Sequence, residues 1–302
     1  MRIVVTGGSG MLGHCLMRRA CRQHQVWGSY HTHRVEVPAC STFAMDVTDE
    51  AQAGDQLKAL KPEVIIHTAA LTDVDECERT PEKAKKINSE GTKITAQIAE
   101  ELGARLVYIS SDYVFNGETG SYAEGDLPDP VNRYGESKLL AEQYAQQFCS
   151  RVLIVRTTIF GLKVPPIIGL MESLVDAMRR GGTLTRFVDQ YFTPLYSGHF
   201  SEIVLQLIGM GATGIFHIGA PEKISRFAFA QEVAKIFAPG YSEIRPVPFK
   251  QIDGLARRPR DTSLISTAVQ KRWGIKPPDL RAGLWEIQND WTELSNQEIA
   301  AS

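Results

Sequence analysis

Tyr134 and Lys138 stand four residues apart, so on a helix the phenol and the ammonium share one face. A tyrosine of pKa ~10 is a poor acid-base group at neutral pH unless a cation stabilises its phenolate. Lys138 is spaced to be that cation. With nine tyrosines in the chain, a Tyr-x-x-x-Lys pair arises by chance roughly 0.4 times, so the spacing alone decides nothing. Ser111 adds weight because it follows the apolar run Leu106-Val107-Tyr108-Ile109-Ser110, and open α/β sheets bind ligands at that end of a strand.

A second chemical feature opens the chain. Thr6-Gly7-Gly8-Ser9-Gly10-Met11-Leu12-Gly13 follows a short apolar run and leads into a helical pattern. Glycines at 7, 10 and 13 suit a dinucleotide: one for the tight turn, one for backbone approach to pyrophosphate, one for close helix-strand packing. The helix start, with Met11 and Leu12, offers free N–H groups and a positive dipole. A ligand-free turn has the same spacing, but the position after the first strand favours the dinucleotide. No Gly-Lys-Ser or Gly-Lys-Thr follows, which removes the support for a kinase or NTPase. The second strand ends in Tyr30-His31-Thr32-His33-Arg34 rather than in the acid that holds an NAD ribose. His31 and Arg34 suit a 2′-phosphate, hence NADP, with NAD the second choice and a solvated loop the plain alternative. A zinc site on His31 and His33 is disfavoured because no other ligands cluster there.

These groups need a scaffold that brings strand ends together. Ile3 to Thr6, Val26 to Tyr30, Val64 to His67, Leu106 to Ser110 and Leu153 to Arg156 read as strands alternating with helical segments. That order predicts an α/β fold: a Rossmann-type doubly wound parallel sheet. Leu12, Cys15, Leu16 and Ala20 form the apolar stripe of the first helix, with His14, Arg18 and Arg22 opposite. Further helices are expected from about Pro81 to Leu102 and from about Asn132 to Phe148. Beyond about residue 160, Pro165-Pro166, Gly181-Gly182, Pro194, Pro246 and Pro277-Pro278 break the pattern into shorter elements. We therefore expect a nicotinamide dinucleotide domain over 1–160 and a smaller α/β substrate lobe over 161–302. Segments such as Ile215 to Gly219 are expected to return to the first sheet.

Composition narrows the function classes. The 302 residues are 43% hydrophobic and 23% charged, with 33 Lys and Arg against 35 Asp and Glu and a net charge of −2. This is ordinary globular composition, and it disfavours disorder, a nucleic-acid partner and a membrane surface. Five scattered cysteines without a C-x-x-C pair read as reduced thiols of a cytoplasmic protein. The start, Met1-Arg2-Ile3-Val4-Val5, turns at once into glycines, so a secretory leader is not expected, and no run approaches a membrane span. Arg257, Arg258 and Arg260 form a compact cluster suited to a diphosphate, with a solvated loop as the alternative. Asp73, Asp75, Glu76 and Glu78 read more readily as acids near a helix start than as a metal site. Trp273, Trp285 and Trp291 read as packing residues.

Taken together, these features resemble the extended short-chain dehydrogenase/reductase family, and within it the dTDP-4-dehydrorhamnose reductases, over nearly the whole chain. The resemblance rests on the Gly7-Gly10-Gly13 turn, Asp46-Val47, His67 through Asp75, Ser110-Ser111-Asp112-Tyr113-Val114-Phe115, Tyr134 to Lys138, Asp189-Gln190 with Pro194, and Arg258-Pro259 with Thr262 and Leu264. It implies that Ser111 hydrogen-bonds the reacting oxygen and that Tyr134 donates the proton. Lys138 would hold the nicotinamide ribose and tune Tyr134. It further implies that Asp46 and Val47 contact adenine and that Ala70, Leu71 and Thr72 lie along the cofactor. Ser111, Asp112, Tyr113 and Arg258 would face the substrate. Dehydratases of this family carry Asp-Glu where this chain has Asp112-Tyr113, so reduction of a keto group is favoured over elimination of water. The family departures, Arg156-Thr157-Thr158-Ile159 for Arg-Thr-Ser-Trp and His67-Thr68 where an Asn is common, leave the hydride machinery intact and alter the sugar pocket. The implied activity is NADPH-dependent reduction of a 4-keto-6-deoxy nucleotide sugar, dTDP-4-dehydrorhamnose to dTDP-rhamnose, by a monomer or homodimer. A nucleotide-sugar epimerase and a non-catalytic NADP-binding subunit, similar to the beta subunit of methionine adenosyltransferase, share the same residues.

Overall fold

A computed structural model describes residues 1–162 and 169–301, with the backbone alone over 292–301. Its strands are β1 (Arg2–Thr6), β2 (Gln25–Tyr30), β3 (Ser41–Ala44), β4 (Val64–His67), β5 (Arg105–Ile109), β6 (Val152–Thr157), β7 (Ile159–Phe160), β8 (Leu184–Phe187), β9 (Tyr191–Phe192), β10 (Leu195–Tyr196), β11 (Gly214–Ile218), β12 (Ile224–Ser225) and β13 (Ile244–Val247). Its helices are α1 (Met11–Ala20), α2 (Glu50–Leu60), α3 (Val74–Arg79), α4 (Pro81–Ala84), α5 (Gly91–Glu101), α6 (Arg133–Phe148), α7 (Leu170–Arg179), α8 (Ser197–Gly209), α9 (Arg226–Phe237), α10 (Thr267–Trp273) and α11 (Leu280–Ala301).

Seven strands form one parallel sheet in the order β11-β6-β5-β4-β1-β2-β3. Successive side chains of a strand point to opposite faces, and here both faces are covered. Ile3, Val5, Ile66, Val107 and Val155 pack with Leu16 of α1 and Phe200 and Val204 of α8. Val4, Ile65, Leu106 and Ile154 pack with Leu57 of α2, Ala96 of α5 and Ala141 of α6. Both neighbours of a position are thus buried, which is why these strands read as unbroken apolar runs. The chain leaves β1 towards β2 on one side and returns at β4 on the other, so a crevice opens beyond Thr6 and His67.

A third core, built from Phe160, Met171, Val175, Phe192, Phe229, Val233, Leu284 and Ile287, belongs to the smaller lobe. The chain beyond residue 160 does not stay there: α8, β11 and Val269 of α10 join the core of the large sheet, and β11 pairs with β6 along its length. The Pro165-Pro166 pair lies outside the described residues.

Three local expectations need correction. β3, α2 and α3 carry too little apolar periodicity to be seen in sequence; β3 has no buried residue at all. The expected helix from Pro81 to Leu102 is interrupted, because Lys85–Glu90 is a π-helical segment between α4 and α5. His14 does not face water: α8 covers that side of α1, and burial, helped by Arg18, lowers its pKa to about 4.

His14 is one of four histidines whose pKa burial lowers, and two of the others are deeply buried. Burial lowers His67 to about 3, and burial followed by the neighbouring Arg156 lowers His217 to about 4. His67 Nδ1 meets the Thr6 hydroxyl at 2.8 Å, while its Nε2 is buried without a partner. Each folded pKa lies below the unfolded value of ~6.5, so the unfolded chain binds more protons in between. Their neutral forms therefore support the fold fully above that value, and the support is lost as pH falls from about 6.5 towards 4, by up to ~1.4 kcal/mol per pH unit for each histidine. Urea midpoints should fall from pH 7 to pH 5, and His67→Asn should flatten that slope. An identical pH slope in the variant would show that His67 protonates freely in the native state.

Candidate active site

The crevice is a cleft of about 1010 Å³ running from the glycine turn to Ser111. Gly7 adopts φ +72°, and a Cβ there would stand 2.7 Å from the Ala69 nitrogen. A Cβ at Gly13 would come within 2.2 Å of the Gly7 carbonyl oxygen, so α1 and β1 meet with no space for a side chain. Gly10 differs: its Cβ would meet only that same oxygen, at 3.2 Å, on the edge of the cleft. No side chain caps α1, which leaves the first-turn N–H groups of Met11, Leu12 and Gly13 turned to the cleft they line. Cleft size, uncapped helix start and the absence of Cβ atoms fit a dinucleotide pyrophosphate.

Ala70, Leu71 and Thr72 form the opposite wall, beyond β4. Asn88 holds this wall. Its Oδ1 accepts from the Leu71 N–H at 2.7 Å, and its Nδ2 donates to the Leu71 carbonyl at 3.0 Å and to the Ser137 hydroxyl at 2.9 Å. The π-helical turn aims Asn88 inward, a placement common at functional sites. No sequence signal short of the π turn itself could have shown it.

At the far end, Ser111, Asp112, Tyr113, Tyr134 and Lys138 all line the same cleft. Asn132 caps α6 through its side chain, accepting from the Gly135 N–H, and α6 then carries Tyr134, Lys138 and Glu142 on one face at successive intervals of four. Gly135 is required here, since a Cβ would lie 2.2 Å from the Tyr113 carbonyl oxygen. The Tyr134 ring meets Tyr113 edge-on at 5.8 Å. Burial pushes its phenol well above the usual range, with the Ser111 hydroxyl pulling the other way. Tyr134 therefore keeps its proton at neutral pH. Lys138 Nζ donates to the Ile109 carbonyl at 2.7 Å and lies over the Tyr108 ring at 4.3 Å. Burial lowers this ammonium to about 7, against the pull of Glu142. The ammonium thus turns to a backbone carbonyl, and burial is the largest influence on the Tyr134 phenol.

Asp112 is buried and takes hydrogen bonds from the Ser111 hydroxyl at 3.1 Å and from Thr262. Burial raises its carboxyl against those bonds. Behind Lys138, Glu142 pairs with Arg156 at 2.7 Å and accepts from Ser110.

His31, Asp46 and Val47 line the cleft at its other end, joined by Lys86, which sequence reasoning missed. Arg34 does not line it: the side chain is 70% exposed and its guanidinium lies 3.4 Å from Glu36. Arg258 also stands outside it, held by Asp75 at 2.9 Å and by the Ala256 carbonyl at 3.1 Å. The acids from 73 to 78 are each engaged. Asp73 caps α3, Asp75 holds Arg258, Glu76 pairs with Lys83 at 2.6 Å, and Glu78 accepts from the Arg133 N–H. Trp273 and Trp291 pack as expected, but Trp285 is 62% exposed because α11 turns it outward.

A family model described as RmlD substrate binding domain matches residues 1–292. Among curated relatives, the "Probable low-salt glycan biosynthesis reductase Agl14" of Haloferax volcanii is 29% identical over 98% of this chain and 100% of its own length. A crystal structure of a hypothetical dTDP-4-dehydrorhamnose reductase from Sulfolobus tokodaii is 35% identical, with TM-score 0.83 over 94% of this chain and 99% of that one. A dTDP-4-dehydrorhamnose reductase from Bacillus anthracis, solved in complex with NADP, is 26% identical, with TM-score 0.84 over 96% of this chain and 98% of that one.

The glycine geometry separates binding from folding. Gly10→Val should keep circular dichroism and melting temperature near those of the parent while abolishing NADP⁺ binding in calorimetry, because its side chain enters the cleft. Gly13→Ala should lower stability by about 1–3 kcal/mol through overpacking. Undiminished NADP⁺ affinity in Gly10→Val would place the phosphates elsewhere.

Proposed function

This chain belongs to the RmlD substrate-binding domain family, and from that membership we propose that it is an NADPH-dependent reductase of a 4-keto-6-deoxy nucleotide sugar, with dTDP-4-dehydrorhamnose as substrate and dTDP-rhamnose as product. The observation that carries this reading is the convergence of Ser111, Tyr134 and Lys138 on the cleft that begins at the glycine turn. The Bacillus anthracis relative with NADP supports the cofactor.

When bound, the nicotinamide supplies a hydride to the keto carbon. Everything else falls to the protein. The Ser111 hydroxyl and the Tyr134 phenol are placed to hold the keto oxygen, and Tyr134 gives it the proton that completes the alcohol. A phenol held above its usual range is a proton donor waiting in the correct state, which suits reduction rather than oxidation. Lys138, whose ammonium burial makes a stronger acid, is in this reading the reserve from which the phenolate regains a proton and the group that holds the cofactor ribose. Asp112, followed by Tyr113 rather than Glu, supplies no acid-base pair for dehydration. Residues 1–160 bind the cofactor in this reading, and the lobe drawn from 161–302 binds the sugar nucleotide.

The test is loss of NADPH absorbance with dTDP-, GDP- and UDP-linked 4-keto-6-deoxy sugars, where dTDP-4-dehydrorhamnose should react fastest. Catalysis without net NADPH consumption would mean an epimerase. Stoichiometric capture of another enzyme without turnover would mean a regulatory subunit. In the active protein, Tyr134→Phe should lower kcat by about 10²–10⁴ while NADPH affinity stays within a few-fold. For coenzyme choice, His31→Ala should erode the preference for NADPH over NADH, and Arg34→Ala should leave it intact because Arg34 lies against Glu36. The reverse pattern would return the 2′-phosphate to Arg34.

A further inference from the structure

We infer that Lys86, on the π-helical turn, is the side chain that receives the 2′-phosphate of NADP and sets the coenzyme preference; this rests on NADP as the coenzyme in the reductase reading above. Four basic side chains line the cleft among the described residues: His31, Lys83, Lys86 and Lys138. Three of them are committed. Lys138 Nζ donates to the Ile109 carbonyl at the substrate end, Lys83 pairs with Glu76 at 2.6 Å, and His31 Nε2 faces an Asp46 carboxylate oxygen at 3.7 Å. Lys86 has no carboxylate within ion-pair distance among the described residues.

Backbone contacts place Lys86 at the adenosine end of the cleft. The Gly91 N–H donates to the Lys86 carbonyl, an i→i+5 bond, so the two residues stand nearly one above the other across the turn. Ordinary α geometry, at about 100° per residue, would send them to different faces. Gly91 lies directly on Val47: a Cβ there would come within 2.9 Å of Val47 Cγ2 and 3.4 Å of the Val47 carbonyl oxygen. Lys86 therefore leaves its turn on the side that covers Asp46 and Val47, and it lines the cleft beside them. These two residues follow β3, and the Met45 N–H donates to the Tyr30 carbonyl at 2.9 Å, so the stretch runs on alongside the end of β2. The end of β2 is where a Rossmann-type fold holds the adenosine ribose.

Charge selects which group Lys86 meets. Where NAD is the coenzyme, an acid near the end of β2 takes the ribose 2′-hydroxyl, and this chain has Tyr30 and His31 there. The acid at this end is Asp46, and it is engaged: its Oδ1 accepts from the Thr48 N–H and from the Thr48 hydroxyl, each at 2.8 Å, while His31 faces its other oxygen. A 2′-phosphate beside that carboxylate needs a cation with no acid of its own, and Lys86 supplies it. An ammonium on a flexible stem is a compact point charge that can follow the rotating oxygens of a phosphate monoester. The cofactor pyrophosphate is accounted for separately, at the glycine turn.

The experiment titrates NADP⁺ and NAD⁺, and the fragments 2′,5′-ADP and 5′-AMP, into the full chain by calorimetry. Lys86→Ala should weaken NADP⁺ and 2′,5′-ADP about ten-fold or more. It should leave NAD⁺ and 5′-AMP within two-fold of the parent and the melting temperature within a few degrees, because the side chain is exposed. Lys86→Arg, which keeps the charge, should keep most of the NADP⁺ affinity, and Lys86→Glu should turn the preference towards NAD⁺. Lys85→Ala, at an exposed neighbour that does not line the cleft, should change nothing. Undiminished NADP⁺ affinity in Lys86→Ala overturns the inference, as does a parallel loss of NAD⁺, which would mean that Lys86 only covers the adenine. A parent protein with equal affinity for NADP⁺ and NAD⁺ also overturns it. Lys86-dependent NADP⁺ binding by a protein that reduces no keto sugar leaves the inference standing and removes the reductase reading.

Discussion

Glu142 and Arg156, 2% and 3% exposed, face each other across the interface between α6 and β6. Two charges taken out of water cost several kcal/mol each unless geometry and hydrogen bonds compensate. Here three contacts between guanidinium and carboxylate oxygens, at 2.7 to 3.2 Å, are joined by the Ser110 hydroxyl, by His217 at 3.4 Å and by the Phe115 ring against Arg156. The groups come from β5, β6, β11 and α6, so the pair is satisfied only when these four elements are in their native places. Loss of either partner would leave an uncompensated buried charge, worth about 3–5 kcal/mol. This makes the helix that carries Tyr134 and Lys138 rigid relative to the sheet.

The same pair explains how a buried lysine can serve a reaction. Lys138 lies one turn before Glu142, and Glu142 is the largest influence opposing its desolvation. The site thus combines a phenol made a weaker acid by burial with an ammonium made a stronger one. Their proton affinities are driven apart, so a proton passes downhill from the ammonium to a phenolate left by donation. Electrostatics of this kind depend on depth in the protein rather than on any single contact.

Legibility in the sequence follows from the range of the interactions involved. β1, β4, β5 and β6 are readable because burial on both faces turns them into apolar runs, and the glycine turn is readable because its function needs consecutive residues. Tyr134 and Lys138 are readable as a pair on one helix. Arg34 and Arg258 look free in the sequence, but each lies against an acid, Glu36 nearby and Asp75 far away in the chain, and pairing through space leaves no local mark. Asn88 escapes notice because a helical period drawn through Pro81 to Leu102 assigns it a different direction.

The π turn that aims Asn88 also limits how this protein family can change length. Each residue removed from a helix rotates all that follows by about 100° relative to what precedes it. A deletion in α4 or α5 would do this, whereas one within Lys85–Glu90 would return the turn to ordinary α geometry and redirect the side chains inside it. Asn88 would then lose Leu71 or Ser137, and the wall of the cleft would part from the catalytic helix. Insertions and deletions in descendants of this chain should therefore collect in the loops on either side of the segment from Pro81 to Glu101, which behaves as a gauge block of fixed length between two halves of the site.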